Sequence, residues 1–232
     1  MTTRPTVLLF DIDGTLITTG GAGRRAIRAA FAQRYGRADA CDHFSFGGMT
    51  DQAIARQGLA AIGVEGTAAA IHELLSAYVL HLEDEVRRVP EADYRVHAGM
   101  HAAIDAGHGR GFAVGLGTGN VRAGATVKLR RVGLHERFDF GGFGDDDELR
   151  PNLIRRGAER GAARLGVALE AARVVVIGDT PKDVDAAKAI GADSVAVATG
   201  GFSADVLREA GATWVFGDLT APGALAAVLE GR

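Results

Sequence analysis

Acidic side chains follow two apolar runs of the chain, and their spacing could support chemistry on phosphate. Asp11 and Asp13 come directly after the first run, VLLF, and Asp179 and Asp183 come after a later run, VVVI. In open parallel sheets, ligands bind outside the carboxyl ends of the strands. If the two runs are neighbouring strands, we expect the four carboxylates to meet in one crevice.

Carboxylates at close range repel one another, and a divalent cation is the simplest way to neutralise them. At an effective dielectric constant near 20, each pair about 4 Å apart repels by roughly 4 kcal/mol. Mg²⁺ prefers hard oxygen ligands and keeps coordination positions for a substrate phosphate. The sequence therefore predicts a Mg²⁺ site. A carboxylate held there can attack phosphorus, and a second acid nearby can move the proton.

Neutral donors suited to phosphate stand beside these acids. Thr118, Gly119 and Asn120 follow another apolar run, and Gly14 and Thr15 follow the first pair of acids. Hydroxyl groups and the backbone N–H groups at helix N-termini bind anions well. We expect these five residues to contact the phosphate.

Short apolar runs that alternate with helical patterns must position these residues. The predicted strands are residues 7–10, 112–116, 174–177, 194–198 and 213–216. Continuous apolar runs separated by helices are typical of a buried parallel sheet. The predicted fold is therefore α/β, with a doubly wound, Rossmann-like parallel sheet as its core.

Residues 18–92 interrupt this alternation. They contain three helical patterns and no convincing strand, and the connections at either side, near residues 16–23 and 88–97, are rich in turn residues. We predict a small all-helical cap domain over residues 18–92. The remaining residues, 1–17 and 93–232, are predicted to form the catalytic core.

Composition argues against several classes of partner. The chain has 26 basic and 29 acidic residues, a net charge of −3 and no basic stripe, which argues against nucleic acid. Cys41 is the single cysteine, so an intramolecular disulfide is excluded. The first apolar run is too short for a signal peptide, and no run reaches the length of a membrane span. We expect a cytoplasmic protein that binds no membrane.

The motifs together resemble the haloacid dehalogenase superfamily of phosphohydrolases. Asp-x-Asp-Gly-Thr after a strand, strand-Thr-Gly-Asn and strand-Gly-Asp-x-x-x-Asp occur in the family's order. The resemblance covers nearly the whole chain, including a helical cap after the first strand, as in phosphoglycolate phosphatase-like members. It implies Mg²⁺-dependent hydrolysis of a small phosphorylated metabolite through an aspartyl-phosphate.

The resemblance also implies a role for each motif residue. Asp11 would be the nucleophile and a metal ligand, and Asp13 the general acid and base, with its backbone carbonyl on the metal. Asp179 and Asp183 would complete the metal site, and Thr118 would hold the phosphoryl oxygens.

One position departs from the family's pattern. The family has a basic residue, usually a lysine before a proline, that neutralises the phosphoryl group; this chain has Arg150 before Pro151. We take Arg150 as the catalytic substitute and Lys128 as the second candidate. Arginine offers a fork of donors where lysine offers a point charge, so the exchange is not neutral.

The turn before the second helix of the predicted cap has two interpretations. By the resemblance, Gly48 and Thr50 would face the active site and bind substrate. Thr50 equally fits a plain helix start, where its hydroxyl caps the helix.

Alternative functions share the same core motifs. A phosphosugar mutase would return the phosphoryl group to its substrate, and a catalytically idle module would bind a phosphorylated ligand or a protein without turnover. Asp13 argues against a dehalogenase, which needs no second acid, and the lack of a lysine in the predicted cap argues against a phosphonatase. The oligomeric state, monomer or homodimer, stays open.

Overall fold

A six-stranded parallel sheet forms the centre of the computed structural model, which describes residues 4–232. Residues 1–3, with which the predicted core begins, lie outside the described residues. The strands are β1 (Thr6–Phe10), β2 (Ile17–Thr19), β3 (Tyr94–Val96), β4 (Ala113–Gly117), β5 (Gly141–Gly142), β6 (Arg173–Gly178), β7 (Asp193–Val197) and β8 (Trp214–Phe216). The order in the large sheet is β5-β4-β1-β6-β7-β8. This order confirms the predicted Rossmann-like α/β fold and puts β1 between β4 and β6.

Helices surround the sheet and fill the connections. They are α1 (Ala22–Tyr35), α2 (Asp51–Ala61), α3 (Ala68–Arg88), α4 (Met100–Gly109), α5 (Arg122–Arg130), α6 (Arg150–Arg164), α7 (Pro181–Ala189), α8 (Ala204–Glu209) and α9 (Ala224–Glu230). None of the helices within residues 4–232 is long and apolar enough to cross a membrane.

Alternate residues of β1 belong to two different apolar clusters, one for each face of the sheet. Leu8 and Phe10 belong to a cluster with residues of α4 and α9, while Val7 and Leu9 belong to one with residues of α6 and α7. All four side chains are fully buried. A strand buried on both faces explains why its sequence is a continuous apolar run.

The helical segment, residues 22–88, contains α1, α2 and α3 and is joined to the core by a ribbon. In that ribbon β2 and β3 pair antiparallel, with Ile17 opposite Val96 and Thr19 opposite Tyr94. The sequence predicted only turns at these connections. The β-branched and aromatic residues there form short strands, because such side chains suit a pleated, partly buried surface. The sequence prediction also omitted α4 and β5.

Candidate active site

Three carboxylates lie together at the carboxyl ends of the central strands. Asp11 follows β1, Asp179 follows β6, and Asp183 is in the first turn of α7. One oxygen of each lies within 4.8 Å of the others, and the three residues are buried. The sequence predicted that these acids share a crevice, and the structure places them so.

The three buried carboxylates carry more negative charge than nearby cations neutralise, and the pKa values of two of them are therefore raised. Burial, opposed by Arg150 and reinforced by Asp183, raises the pKa of Asp11 to about 6. Burial and the neighbouring carboxylates of Asp183 and Asp11 raise the pKa of Asp179 to about 8. A donor set made only of carboxylate oxygens suits a hard divalent cation, which would relieve this repulsion. The residues present therefore fit Mg²⁺.

Gly14 and Thr15 hold Asp179 in place. The Thr15 hydroxyl donates to Oδ1 of Asp179 at 2.8 Å, and Thr15 is fully buried. Gly14 has φ +83°, and a side chain there would overlap the Asp179 carboxylate. The structure thus puts these two predicted phosphate-binding residues against the acid cluster.

Arg150 occupies the predicted basic position. It is the first residue of α6, and its side chain is 6% exposed. Its Nη2 lies 2.5 Å from Oδ1 of Asp183 and 3.1 Å from Oδ2 of Asp11, yet forms no well-aligned hydrogen bond with any residue of 4–232. Its Nε does donate to Asp183, and its Nη1 donates to the Gly48 carbonyl at 3.3 Å. Arg150 therefore places a buried cation beside Asp11 and Asp183.

Lys128, the second basic candidate, lies beside the other acid of the first motif. Its Nζ is 2.6 Å from Oδ2 of Asp13 and 2.6 Å from Oδ1 of Asn120. Asn120 donates in turn to Asp13 and to the Thr118 hydroxyl, both at 2.8 Å. Burial alone would raise the pKa of Asp13, but the Lys128 charge and the hydrogen bonds from Lys128 and Asn120 lower it.

The start of α2 is bonded to the core at several points. The Thr50 hydroxyl accepts from the Ala53 N–H, which makes it the N-cap of α2, and also donates to the Glu148 carbonyl at 2.9 Å. Asp51 accepts from the Val121 N–H at 2.8 Å. Thr50 therefore caps the helix and joins it to the core. The contact made by Asp51 was not predicted, because acidic residues are common in the first turn of helices and this one gave no further signal in the sequence.

Gly48 belongs to the turn before α2 and packs against the core. Its φ is +65°, and a side chain there would come within 2.6 Å of the Thr180 hydroxyl and 2.8 Å of Lys182. Only glycine suits this close approach in a left-handed conformation.

A cavity of about 540 Å³ lies between the acids and the helical segment. The core lines it with polar groups, namely Asp11, Asp13, Gly119, Asn120, Lys128, Arg150 and Asp179. The helical segment adds mainly apolar side chains, Ile27, Phe46, Met49, Ile54 and Tyr78, with Arg24, Asp51 and Gly48. The remaining predicted residues, Gly14, Thr15, Thr50, Thr118 and Asp183, lie behind this lining. The volume suits a small molecule.

Comparisons with known proteins agree with this geometry. A family model described as a haloacid dehalogenase-like hydrolase matches residues 5–191. No curated protein matches the sequence.

Solved structures share the fold at low sequence identity. CbbY from Rhodobacter sphaeroides, in complex with phosphate, is 20% identical with a TM-score of 0.71, over 97% of this chain and 99% of that one. A hydrolase from Pseudomonas syringae is 20% identical with a TM-score of 0.67, over 92% of this chain and 94% of that one. A predicted phosphoglycolate phosphatase from Haemophilus somnus is 15% identical with a TM-score of 0.65, over 99% of each chain.

Proposed function

The chain belongs to the haloacid dehalogenase-like hydrolase family, and from that premise we propose that it is a Mg²⁺-dependent phosphatase acting on a small phosphate monoester. One observation carries the proposal: the buried guanidinium of Arg150 lies between Asp11 and Asp183, at the edge of the acid cluster. A buried cationic donor beside a carboxylate suits an incoming phosphoryl oxygen. The similar fold of CbbY, which was solved with phosphate, supports the same ligand class.

The acid cluster would hold the metal ion. Asp11, Asp179 and Asp183 would contribute carboxylate oxygens, and Asp13 its backbone carbonyl. Bound there, Mg²⁺ would supply positive charge to the phosphate oxygens and act as a Lewis acid.

Asp11 and Asp13 would divide the chemistry. A carboxylate oxygen of Asp11 attacks phosphorus and forms an aspartyl-phosphate, while the bond from phosphorus to the leaving oxygen breaks. Asp13 gives its proton to that oxygen, so the product leaves as an alcohol. Asp13 then takes a proton from water as the water oxygen attacks phosphorus, which releases phosphate and frees Asp11.

Arg150 would hold the phosphoryl group against the nucleophile. Its guanidinium also fixes Asp183 and contacts Asp11, so the charge that develops on phosphorus meets a preorganised cation. The backbone of Gly119 and Asn120, which line the cavity before α5, would bind phosphate oxygens, and Thr118 lies behind them holding Asn120.

The helical segment would act as the cap. We propose the division predicted from sequence, with residues 18–92 as cap and the rest as core. Side chains of α1, α2 and α3 complete the cavity, so the cap would select the leaving group and exclude water during the reaction. A cavity of about 540 Å³ favours a small metabolite over a macromolecule.

The test is phosphate release from a panel of small phosphate monoesters, with Mg²⁺ or with EDTA. Wild type should turn over at least one monoester with Mg²⁺ and none with EDTA, and Asp11→Asn should be inactive. Asp205→Asn is a matched control, because it removes an exposed carboxylate on α8 that does not line the cavity. If no monoester releases phosphate, or if Asp11→Asn retains activity, the proposal fails.

A further inference from the structure

A buried lysine is fixed on the acid that would move the proton. Lys128 is 3% exposed, and its Nζ lies 2.6 Å from Asp13, which is 115 residues away in sequence. Burying an ammonium group is costly unless its charge is paired and hydrogen-bonded. Arg150 occupies the basic position for which Lys128 was the second candidate, so the burial of Lys128 needs another reason.

The two oxygens of Asp13 have different surroundings. Oδ2 accepts from Lys128 at 2.6 Å and from Asn120 at 2.8 Å. Among residues 4–232, Oδ1 accepts only from the Thr19 hydroxyl, at 3.4 Å, which is a weak contact. The side chain of Asp13 is 41% exposed and lines the cavity. Oδ1 is therefore the oxygen that is available to a ligand.

Lys128 is itself held by the structure around α5. It lies in the last turn of this helix, and helical side chains lean toward the N-terminus, where Asn120 precedes the helix. The Tyr94 hydroxyl donates to the Lys128 carbonyl at 2.9 Å. The charge of Asp51, at the start of α2, also favours the ammonium form. The lysine thus has few alternative positions.

We propose that Lys128, together with Asn120, is a positioning residue that binds Oδ2 of Asp13 and leaves Oδ1 as the oxygen that exchanges the proton. This inference rests on the proposed function. Without Lys128, the Asp13 side chain would rotate among several rotamers, and Oδ1 would no longer point steadily at the leaving oxygen. The step that forms the aspartyl-phosphate should slow only where the leaving oxygen needs a proton, whereas the later attack by water is common to all substrates.

The experiment compares two substrates, an alkyl phosphate from the panel that wild type hydrolyses and p-nitrophenyl phosphate, whose leaving group departs without protonation. Single-turnover release of the alcohol or of p-nitrophenol measures the rate of aspartyl-phosphate formation. Lys128→Met should lower this rate on the alkyl phosphate by roughly 10²–10³-fold, as expected for losing general acid catalysis. On p-nitrophenyl phosphate it should lower the rate by less than about fivefold. Asp13→Asn should show the same selectivity. The double variant should be no slower than Asp13→Asn alone, because the lysine acts through Asp13.

Two further variants guard against a purely structural effect. Lys128→Gln keeps a neutral donor and should recover part of the alkyl phosphate activity. Lys188→Met, which removes a lysine from the exposed surface of α7, should leave both activities unchanged. Unfolding free energies measured in EDTA should be non-additive for Lys128→Met and Asp13→Asn, which reports the contact without any turnover.

Each failure has a distinct signature. A wild type that releases phosphate from no substrate contradicts the proposed function, and this inference with it. An active wild type whose Lys128→Met variant forms the aspartyl-phosphate more slowly by the same factor on both substrates contradicts the inference alone. So do additive unfolding free energies, and so does failure of both Lys128 variants to fold, because Lys128 would then be structural.

Discussion

Two buried cations each hold one acid of the first motif, and they do so in different ways. Arg150 lies between Asp11 and Asp183, whose side chains are 7% and 2% exposed. Lys128 binds Asp13, whose side chain is 41% exposed to the cavity. We call Arg150 with Asp11, Asp179 and Asp183 the arginine side, and Lys128 with Asp13 and Asn120 the lysine side. The first encloses a charge cluster, and the second presents one carboxylate to a ligand.

The chemistry of the two cations matches this difference. A planar guanidinium can contact two carboxylates at once, as Arg150 does with Asp11 and Asp183. An ammonium group is a compact point charge, and Lys128 directs it at a single oxygen of Asp13. The arginine side is therefore suited to binding phosphate and the lysine side to orienting a proton carrier.

Removing the arginine should have the largest effect. Arg150→Met should lower kcat by roughly 10²–10³-fold, about 3–4 kcal/mol, because a preorganised cation is lost where charge develops. The loss should be equal for alkyl and aryl phosphates, in contrast to that of Lys128→Met. Steady-state kinetics on both substrates measure it.

Arg150→Lys is the matched control for charge. It should recover only part of the activity, since an ammonium keeps the charge but lacks the planar fork of donors that the guanidinium offers. A near-normal kcat in Arg150→Met would show that Arg150 does not hold the phosphoryl group, and the proposed difference between the two sides would be wrong.

Mg²⁺ should stabilise the folded protein mainly through carboxylates of the arginine side, and this separates it from the lysine side. At about 100 times its Kd, Mg²⁺ should stabilise the folded protein by about 2.7 kcal/mol and raise its Tm by about 5–10 °C. Asp179→Asn should abolish the rise, because a carboxylate ligand is lost. Asp13→Asn should keep most of it, because the proposed ligand there is a backbone carbonyl. Thermal unfolding with and without Mg²⁺ measures these changes in Tm. If Mg²⁺ raised the Tm of Asp179→Asn as much as that of wild type, the proposed metal site would be contradicted.

The arginine side could be predicted from sequence because its parts are local to strand ends. Asp11 and Asp179 each follow an apolar run directly, and Arg150 starts a helix before a proline. Strand periodicity and the rule that ligands bind at the carboxyl ends of strands were sufficient to place the two acids. The parallel sheet was predictable for the same reason. Arg150 was predicted from the resemblance to the family's basic residue before a proline.

The lysine side could not be resolved in the same way. Lys128 reaches Asp13 over 115 residues, and a lysine on a helix gives no sequence signal of burial. Asp51 reaches the Val121 N–H only because α2 packs against the core. These contacts depend on how the helical segment and α5 pack on the core, which residue spacing does not encode.

The turn before α2 touches the arginine side, and a pair of glycines can test that contact. Gly48 and Gly63 have similar left-handed φ values, +65° and +72°, but a side chain meets Thr180 and Lys182 only at Gly48. Gly63→Ala should lose about 1 kcal/mol of stability from backbone strain, and Gly48→Ala should lose more, because its side chain also meets Thr180 and Lys182. Only Gly48→Ala should also lose kcat/KM, by roughly tenfold, about 1.4 kcal/mol, because Arg150 donates to the Gly48 carbonyl. Equal kinetics in both variants would show that the turn does not affect the site.

The smallest effect should come from Asp51, the second acid near Lys128. Burial, opposed by Lys128 and the Val121 hydrogen bond, raises the pKa of Asp51 from 3.8 to about 6. The folded state then holds the proton more tightly than the unfolded state, so this contribution to stability is present below about pH 4 and is lost as the pH rises through about 6.

Asp51→Asn keeps an acceptor for the Val121 N–H and removes this pH dependence. Its unfolding free energy, relative to that of wild type, should therefore grow by about 1 kcal/mol between pH 5 and pH 8 in EDTA, as measured by urea denaturation. Phosphatase activity should fall by less than about tenfold, because Asp13 and Asn120 still hold Lys128. A larger loss, equal to that of Lys128→Met, would mean that Asp51 and not Asp13 is the partner through which the lysine acts.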